Sequence, residues 1–376
     1  GQWLVRIDPS GEYRPAAATE DKDGSDAFRP VHLPGALRDS RLGDSVGPET
    51  RWIGDDRPAL LKRPEYQKYQ DPGQFKIPFW LQPERHYVGP AYYRRSVEIP
   101  ESWRGQRVLL TLERPHWQTQ AWVDGKLAGK DDSLSTPHVY DLTNQLTPGQ
   151  HSLMIRVDNS LEPLDVGVNS HSVSDHTQSA WHGIVGKMEL RTEPPVTVED
   201  VQVFPSRDAR SARVVLGLTN TTGSKHTETI TLRASQGKQV LGERSLEMTT
   251  DKEITRVDCT LPFDREADRW DEFAPRLCQL EVKLLSDRIG TATKQVTFGI
   301  RDIKTVGTQF VLNGRPIFLR GTLECCIFPL TGYPPTDVES WKRIVRICKA
   351  HGLNHIRFHS WCPPEAAFMA ADELGF

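Results

Sequence analysis

Between about residues 166 and 186 the chain reads VGVNSHSVSDHTQSAWHGIVG, which gathers Asn169, Ser170, His171, Asp175, His176, Gln178, Trp181 and His182 into one segment. Amide, carboxylate and imidazole groups exchange hydrogen bonds with polar ligands, and an indole covers an apolar face. Three histidines and an aspartate could instead hold a metal, but His-x4-His-x5-His on a loop is no recognised ligand spacing. A hydrogen-bonded surface loop without a ligand is the third reading. A second group lies near the end of the chain, where Arg357, His359 and Trp361 follow one another within five residues. Arg320 and Glu324 follow an earlier apolar run, PIFL. Cys362 has no base placed to activate it and reads as a small hydrophobe.

These residues need elements to hold them. From Ala91 the chain alternates in AYYRRSVEIP, continues in RVLLTLER, and joins QTQAWV to KLAG through Asp124-Gly125, a type I′ hairpin signal. HSLMIRVDN follows Pro148-Gly149, and VGKMELRT closes the region near Thr192. Residues 1 to about 90, rich in turn formers around Phe28–Leu33 and Phe79–Leu81, read as irregular edge structure. The spacing predicts a β-sandwich of jelly-roll type over 1–195, ended by Pro194-Pro195.

Between Val196 and Ile300, about seven short strands predict an immunoglobulin-like sandwich; VEDVQVFP, ARVVLGLTN, ETITLRAS, EITRVDCTL, LCQLEVKLL and KQVTFGI are among them. Turns fall at Thr222-Gly223, Gln236-Gly237 and 287–290. From 301 the period changes. Asn313-Gly314 leads into PIFLRG as a strand, and Thr336 with Glu339 forms a capping box. Val338, Trp341, Val345 and Cys348 recur at helical spacing until Gly352. Asn354 to Phe358 is another strand, and Pro364 opens a helix, EAAFMAADEL, closed by Gly375. Two β-loop-α units cannot close a (β/α)8 barrel, which needs about 250 residues. The expectation is therefore a mainly β chain with the truncated start of a barrel over 301–376.

Composition narrows the function. The chain has 376 residues, 47 basic and 50 acidic with the signs interspersed, and a net charge of -3, which leaves no electrostatic footprint for nucleic acid. No run of about 18 apolar residues occurs to span a bilayer. Six cysteines without a CxxC pair argue against a zinc site or a disulfide scaffold. The chain starts GQWLVRIDPS, without a methionine or an apolar signal core, so a processed product is expected. The expected location is secreted or periplasmic with the signal removed, the cytoplasm being the alternative.

Several passages together resemble glycoside hydrolase family 2, the family of β-galactosidases, β-glucuronidases and β-mannosidases. GPAYYRRSVEIPESWRG is similar to its entry strand, AWVDGKLAG to its hairpin, and LTPGQHSLMIRVDN to the passage that follows. WDEFAPRLCQLEV resembles a stretch of its second domain, and FGIRDI followed by FVLNGRPIFLRG resembles its entry into the barrel. The likeness covers about residues 90–376. Departures also occur. Arg357-Phe358-His359-Ser360-Trp361-Cys362-Pro363 stands where relatives show Arg-x-x-His-Tyr-Pro, Leu323-Glu324-Cys325-Cys326 where they often show Asn-Arg-His-Glu, and Cys278 where Tyr is usual.

The resemblance implies retaining glycoside hydrolysis by two glutamates on later barrel strands, and it implies no cofactor. Neither glutamate is in this chain; both are expected downstream of Phe376, so no residue here is expected to be catalytic. Asp337, Glu339 and Glu365 read as helix-dipole charges, and Asp372 and Glu373 as an outer helix face. Glu324, Arg320 and Arg357 are placed by it at the carboxyl ends of the first two barrel strands, where barrel enzymes carry their sites. Glu324 there binds a sugar hydroxyl, pairs with a loop Arg or accepts backbone N–H bonds. His359 and Trp361 suit the hydroxyl rim and C–H face of a sugar. The 166–186 segment resembles the family's sandwich loop that completes the pocket, which makes Asn169, Asp175, Gln178 and Trp181 substrate contacts. The expected function is the N-terminal part of an exo-β-glycosidase acting on oligo- or polysaccharides with terminal β-linked sugars. A β-galactoside is the first choice, and a β-glucuronide or β-mannoside the others. The partner is the barrel remainder, and the chain alone is expected to be inactive. The alternative is a non-catalytic carbohydrate-binding or structural sandwich module.

Overall fold

The computed structural model describes residues 1–15, 28–54, 62–71, 75–76, 83–161, 170–175, 178, 180–251, 253–286 and 290–376. The first twelve strands are β1 (Gln2–Ile7), β2 (Arg29–His32), β3 (Gly35–Ala36), β4 (Asp44–Ser45), β5 (Arg85–His86), β6 (Pro90–Ile99), β7 (Arg107–His116), β8 (Gln118–Val123), β9 (Lys126–Asp131), β10 (His138–Asp141), β11 (Gly149–Asp158) and β12 (Gly183–Glu193). Ten of them form two packed antiparallel sheets, in the orders β2-β1-β6-β11-β8-β9 and β10-β7-β12-β3. Alternation drives the packing, because every second side chain of a strand faces the same way. Val5, Tyr93 and Ile155 of one sheet meet Leu110, Leu112 and Ile184 of the other in one core. Asp124 (φ 49°) and Gly125 (φ 76°) make the β8–β9 turn, whose positive φ values match the strand twist.

The N-terminal segment differs from its expectation as irregular edge. β1 buries Trp3 and Val5 and pairs with β6 from Leu4↔Arg94 to Ile7↔Ala91. Its alternation is short, and the pairing that stabilises it comes from a strand far along the chain. Phe79–Leu81 lies outside the described residues.

Pro194-Pro195 is the whole connection between β12 and the next strand. Seven strands follow: β13 (Val196–Pro205), β14 (Ser211–Asn220), β15 (His226–Gln236), β16 (Gln239–Thr250), β17 (Ile254–Pro262), β18 (Leu277–Ser286) and β19 (Gly290–Gly299). They form sheets β13-β14-β17 and β16-β15-β18-β19 around Leu216, Leu218, Ile230, Leu232, Val282 and Leu284. Arg107 ties the two sandwiches together, reaching Asp141, Glu193 and Glu199 at 3.2, 3.3 and 3.0 Å.

A small meander comes next, of β20 (Ile303–Val306), β21 (Gln309–Leu312) and β22 (Arg315–Ile317), turned by Asn313 (φ 50°) and Gly314 (φ 83°). The chain then makes a βαβα unit of β23 (Gly321–Glu324), α1 (Val338–Ala350), β24 (His355–Phe358) and α2 (Glu365–Leu374), with β23 and β24 parallel. PIFLRG is thus two pieces. Arg315–Ile317 completes the hairpin, and the parallel strand begins only at Gly321. The helix cap also moves: Asp337, not Thr336, accepts the Ser340 N–H at 2.8 Å. Pro364 is the residue before α2, and Gly375 (φ 70°) ends it. The Phe376 N–H folds back to the Ala371 carbonyl at 2.9 Å and satisfies one of the last acceptors of that helix. Trp341 is fully buried between the helices, edge-on to Phe358 at 5.9 Å. Among the described residues no helix is long and apolar enough to cross a membrane.

Candidate active-site junction

Where β23 and β24 end, their loops press against the first sandwich. The His359 N–H donates to the Glu324 carbonyl at 2.7 Å, and Trp361 Nε1 donates to the same oxygen at 3.3 Å. These bonds fasten the second βα loop onto the first. The Trp361 ring stands at 90° to Phe358, 5.6 Å away, so its orientation is fixed by the apolar side of the unit. Ser360 takes a left-handed turn (φ 61°) between them and is exposed.

The segment before β12 meets these loops. Gln178 Nε2 donates to the Ser360 carbonyl at 3.3 Å, and the exposed His171 ring lies 5.1 Å from that of His359. Trp181 packs with Cys326, and Trp361 packs against that cluster. The structure therefore brings together Glu324, His359, Trp361, Gln178 and Trp181, which are up to 183 positions apart in the chain. Arg357 is close by on β24, exposed on the face that also carries Leu323.

Other expected residues go elsewhere. Arg320 precedes β23, donating from Nε to the Gly352 carbonyl at 2.6 Å while Asn354 Oδ1 accepts its N–H. It sits at the amino ends of the two strands, opposite the expected mouth, because the hairpin uses up the residues read as strand. Asp175 is engaged inside the first sandwich, accepting the Ile53 N–H at 2.6 Å and lying 3.3 Å from His86 Nε2. It holds the loop rather than its rim. His182 is buried too, with Nε2 2.8 Å from the Gly89 carbonyl, and burial pulls its pKa down to about 4. Asn169 and His176 lie outside the described residues. No cluster of metal-ligating side chains occurs among the described residues.

Glu324 is half-buried, and burial raises its pKa above the ordinary carboxyl value. Oε1 accepts the Ile327 N–H at 3.4 Å, while Oε2 is buried without a partner. Part of its role is thus to brace its own loop. Two junction residues escaped the sequence reading, Arg114 and His116 of β7. Both continue the inward face of Val108, Leu110 and Leu112. A cation and an imidazole placed where alternation calls for apolar residues was the available signal.

Two β-sandwiches with a βαβα unit docked on the first define a multi-sandwich scaffold of known kind. No family model matches the chain. The β-galactosidase of Arthrobacter sp. (strain B7) is 24% identical over an alignment of 389 residues, covering 100% of this chain and 34% of that protein. A glycosyl hydrolase family 2 member from Bacteroides cellulosilyticus DSM 14838 superposes with a TM-score of 0.72 at 19% identity, over 100% of this chain and 46% of that one. A β-glucuronidase of glycoside hydrolase family 2 gives 0.75 at 15% identity, over 100% and 38%. The chain spans about a third of the length of the curated relative and less than half of these structures. The fold it shares is that of glycoside hydrolase family 2 structures, and its curated relatives are named β-galactosidases and β-glucuronidases.

Proposed function

We propose that the chain is the N-terminal part of a retaining exo-β-glycosidase that removes terminal β-linked sugars. In this reading 1–195 is a jelly-roll domain, 196–300 an immunoglobulin-like spacer and 301–376 the first two units of a (β/α)8 barrel. The observation that carries it is the seating of the first sandwich, through Gln178 and Trp181, on the loops after β23 and β24. Catalytic groups of a barrel stand at those strand ends, so a sandwich loop there can close a pocket around one terminal sugar.

Trp361 supplies a platform for the C–H face of the sugar. His359 and Gln178 serve its hydroxyls, and Arg357 and Glu324 orient it. The two glutamates, acid/base and nucleophile with carboxyl groups about 5–5.5 Å apart, belong to later strands, downstream of Phe376. A β-galactoside is the first candidate, as the name of the Arthrobacter relative suggests. The test measures release of nitrophenol from aryl β-galactosides, β-glucuronides and β-mannosides. The full-length protein should turn over one of them and the 376-residue chain none. Turnover by the chain alone would refute the downstream placement of the glutamates, and no turnover by either would refute the glycosidase reading.

A further inference from the structure

A cavity of about 390 Å³ opens in the first sandwich beside β1, β2 and β5, and none of the described residues that line it belongs to the junction. One side is apolar, formed by Ile7, Pro9 and Leu42, all of which keep part of their surface open. The other side carries three arginines, Arg29, Arg41 and Arg85. Asp44 is the one carboxylate among the described lining residues, so the walls hold a net charge of +2, three cations less one anion.

Strand pairing aims two of the arginines. Arg29 stands directly opposite Val5 in the β1–β2 ladder, and residues so paired share a face of the sheet. Val5 is buried in the core, which puts Arg29 on the core-facing side of an edge strand, where it stays exposed. Arg85 stands opposite Ser45 in the β4–β5 ladder, whereas Asp44 stands opposite the buried His86, on the other face. Arg41 ends the short helical turn Leu37–Ser40 with φ 55°, a left-handed conformation that asparagine and glycine adopt more readily than arginine.

All three side chains are exposed to solvent. Among the described residues Arg29 and Arg41 make no ion pair and no side-chain hydrogen bond, and Arg85 donates only to neutral acceptors, Ser45 Oγ at 3.0 Å and the Gly43 carbonyl at 3.4 Å. Guanidiniums around one cleft repel one another, and a cleft of one sign concentrates the opposite ion. Three arginines offer more donors than the two oxygens of a carboxylate can accept. A sulfate or phosphate ester presents three terminal oxygens, and arginine forks match them. The volume exceeds what that group alone needs and falls in the range of small-ligand pockets, so the apolar side is left for the carbon body.

We propose that this cavity binds a sulfate or phosphate ester, with the oxyanion on Arg29, Arg41 and Arg85 and the carbon body against Ile7, Pro9 and Leu42. The site is separate from the junction and does not depend on the glycosidase reading.

The test is calorimetry on the 376-residue chain at constant ionic strength, with galactose 6-sulfate, galactose 6-phosphate, sodium sulfate, sodium phosphate and galactose. At least one ester should bind about tenfold or more tightly than galactose, and several-fold more tightly than its own free anion. The tighter ester names the source of the group. Arg29→Gln and Arg41→Asn should each weaken that ester several-fold, and the double variant should abolish the preference over galactose. Asparagine suits the backbone at position 41, so Arg41→Asn serves if Arg29→Gln does not fold. Arg343→Gln removes the same charge from an exposed position on α1 and should change nothing. Galactose binding as tightly as both esters, no binding of any anion, unchanged affinity in both cavity variants, or equal weakening by Arg343→Gln would overturn the site. Free sulfate or phosphate binding as tightly as its ester would overturn the part assigned to the apolar side, and the ester assignment with it.

Discussion

His116 and His182 are imidazoles enclosed by the first sandwich, one 2.7 Å from the Trp181 carbonyl and the other 2.8 Å from that of Gly89. Burial penalises the charged ring, so both titrate near pH 4 instead of 6.5, although each carbonyl pulls the other way. Between those two values the unfolded chain takes up protons that the folded chain refuses. Stability is therefore full above pH 6.5 and falls as pH drops toward 4, by at most about 1.4 kcal/mol per pH unit for each histidine. Urea midpoints at pH 7, 6 and 5 should decline over that window. His182→Gln, whose amide can still donate to Gly89, should show a shallower decline; equal slopes would reject the assignment. At this scale the sequence singles out His359 and Trp361 as a polar ring beside an indole, and the structure fastens both to the Glu324 carbonyl at the junction. Arg114 carried a signal, its place on the alternating inward face of Leu110 and Leu112, but the wall that buries it comes from distant segments.

Elements follow their local signals closely where turn chemistry is strict. The Asp-Gly and Asn-Gly turns and the seven strands of the second sandwich stand where alternation and positive-φ residues place them. β1 and the division of PIFLRG were not legible, because each depends on a partner strand far away or on which hairpin claims the residues first. Gly183 shows how tightly β12 is held beside the junction. It has φ 151°, and a Cβ there would lie 2.3 Å from the Gly35 carbonyl oxygen. Gly149 has a similar φ of 134° with nothing within 4 Å. Gly183→Ala should thus lose about 2 kcal/mol or more and displace β3, while Gly149→Ala shows the backbone strain alone. Thermal melts of the two variants check this, and equal losses would discount the clash.

For the whole molecule, the βαβα unit depends on both sandwiches. Trp270 Nε1 donates to the Asp372 carbonyl at 2.7 Å, and Lys349 Nζ reaches the carbonyls of Glu272, Leu374 and Gly375. That ammonium closes the end of α2 and clips it to the second sandwich. Lys349→Ala should cost about 1–2 kcal/mol. The cost should be local: hydrogen exchange is expected to rise across 365–376 while β13–β19 keep their protection, and a uniform rise would contradict it. The order of two β-rich regions and a β/α region could be read from periodicity, since hydrophobic spacing is a local property of the chain. The family likeness could be read too, from motifs spread over most of its length. Tertiary structure alone decided which residues of the 170–182 loop face the junction, because Asp175 and His182 turn inward to satisfy buried groups while Gln178 reaches Ser360. It alone set Arg320 apart from Glu324, at opposite ends of one short strand. It alone gathered Arg29, Arg41 and Arg85 around one cavity, since an edge strand, a turn and a two-residue strand meet only when the chain between them folds back.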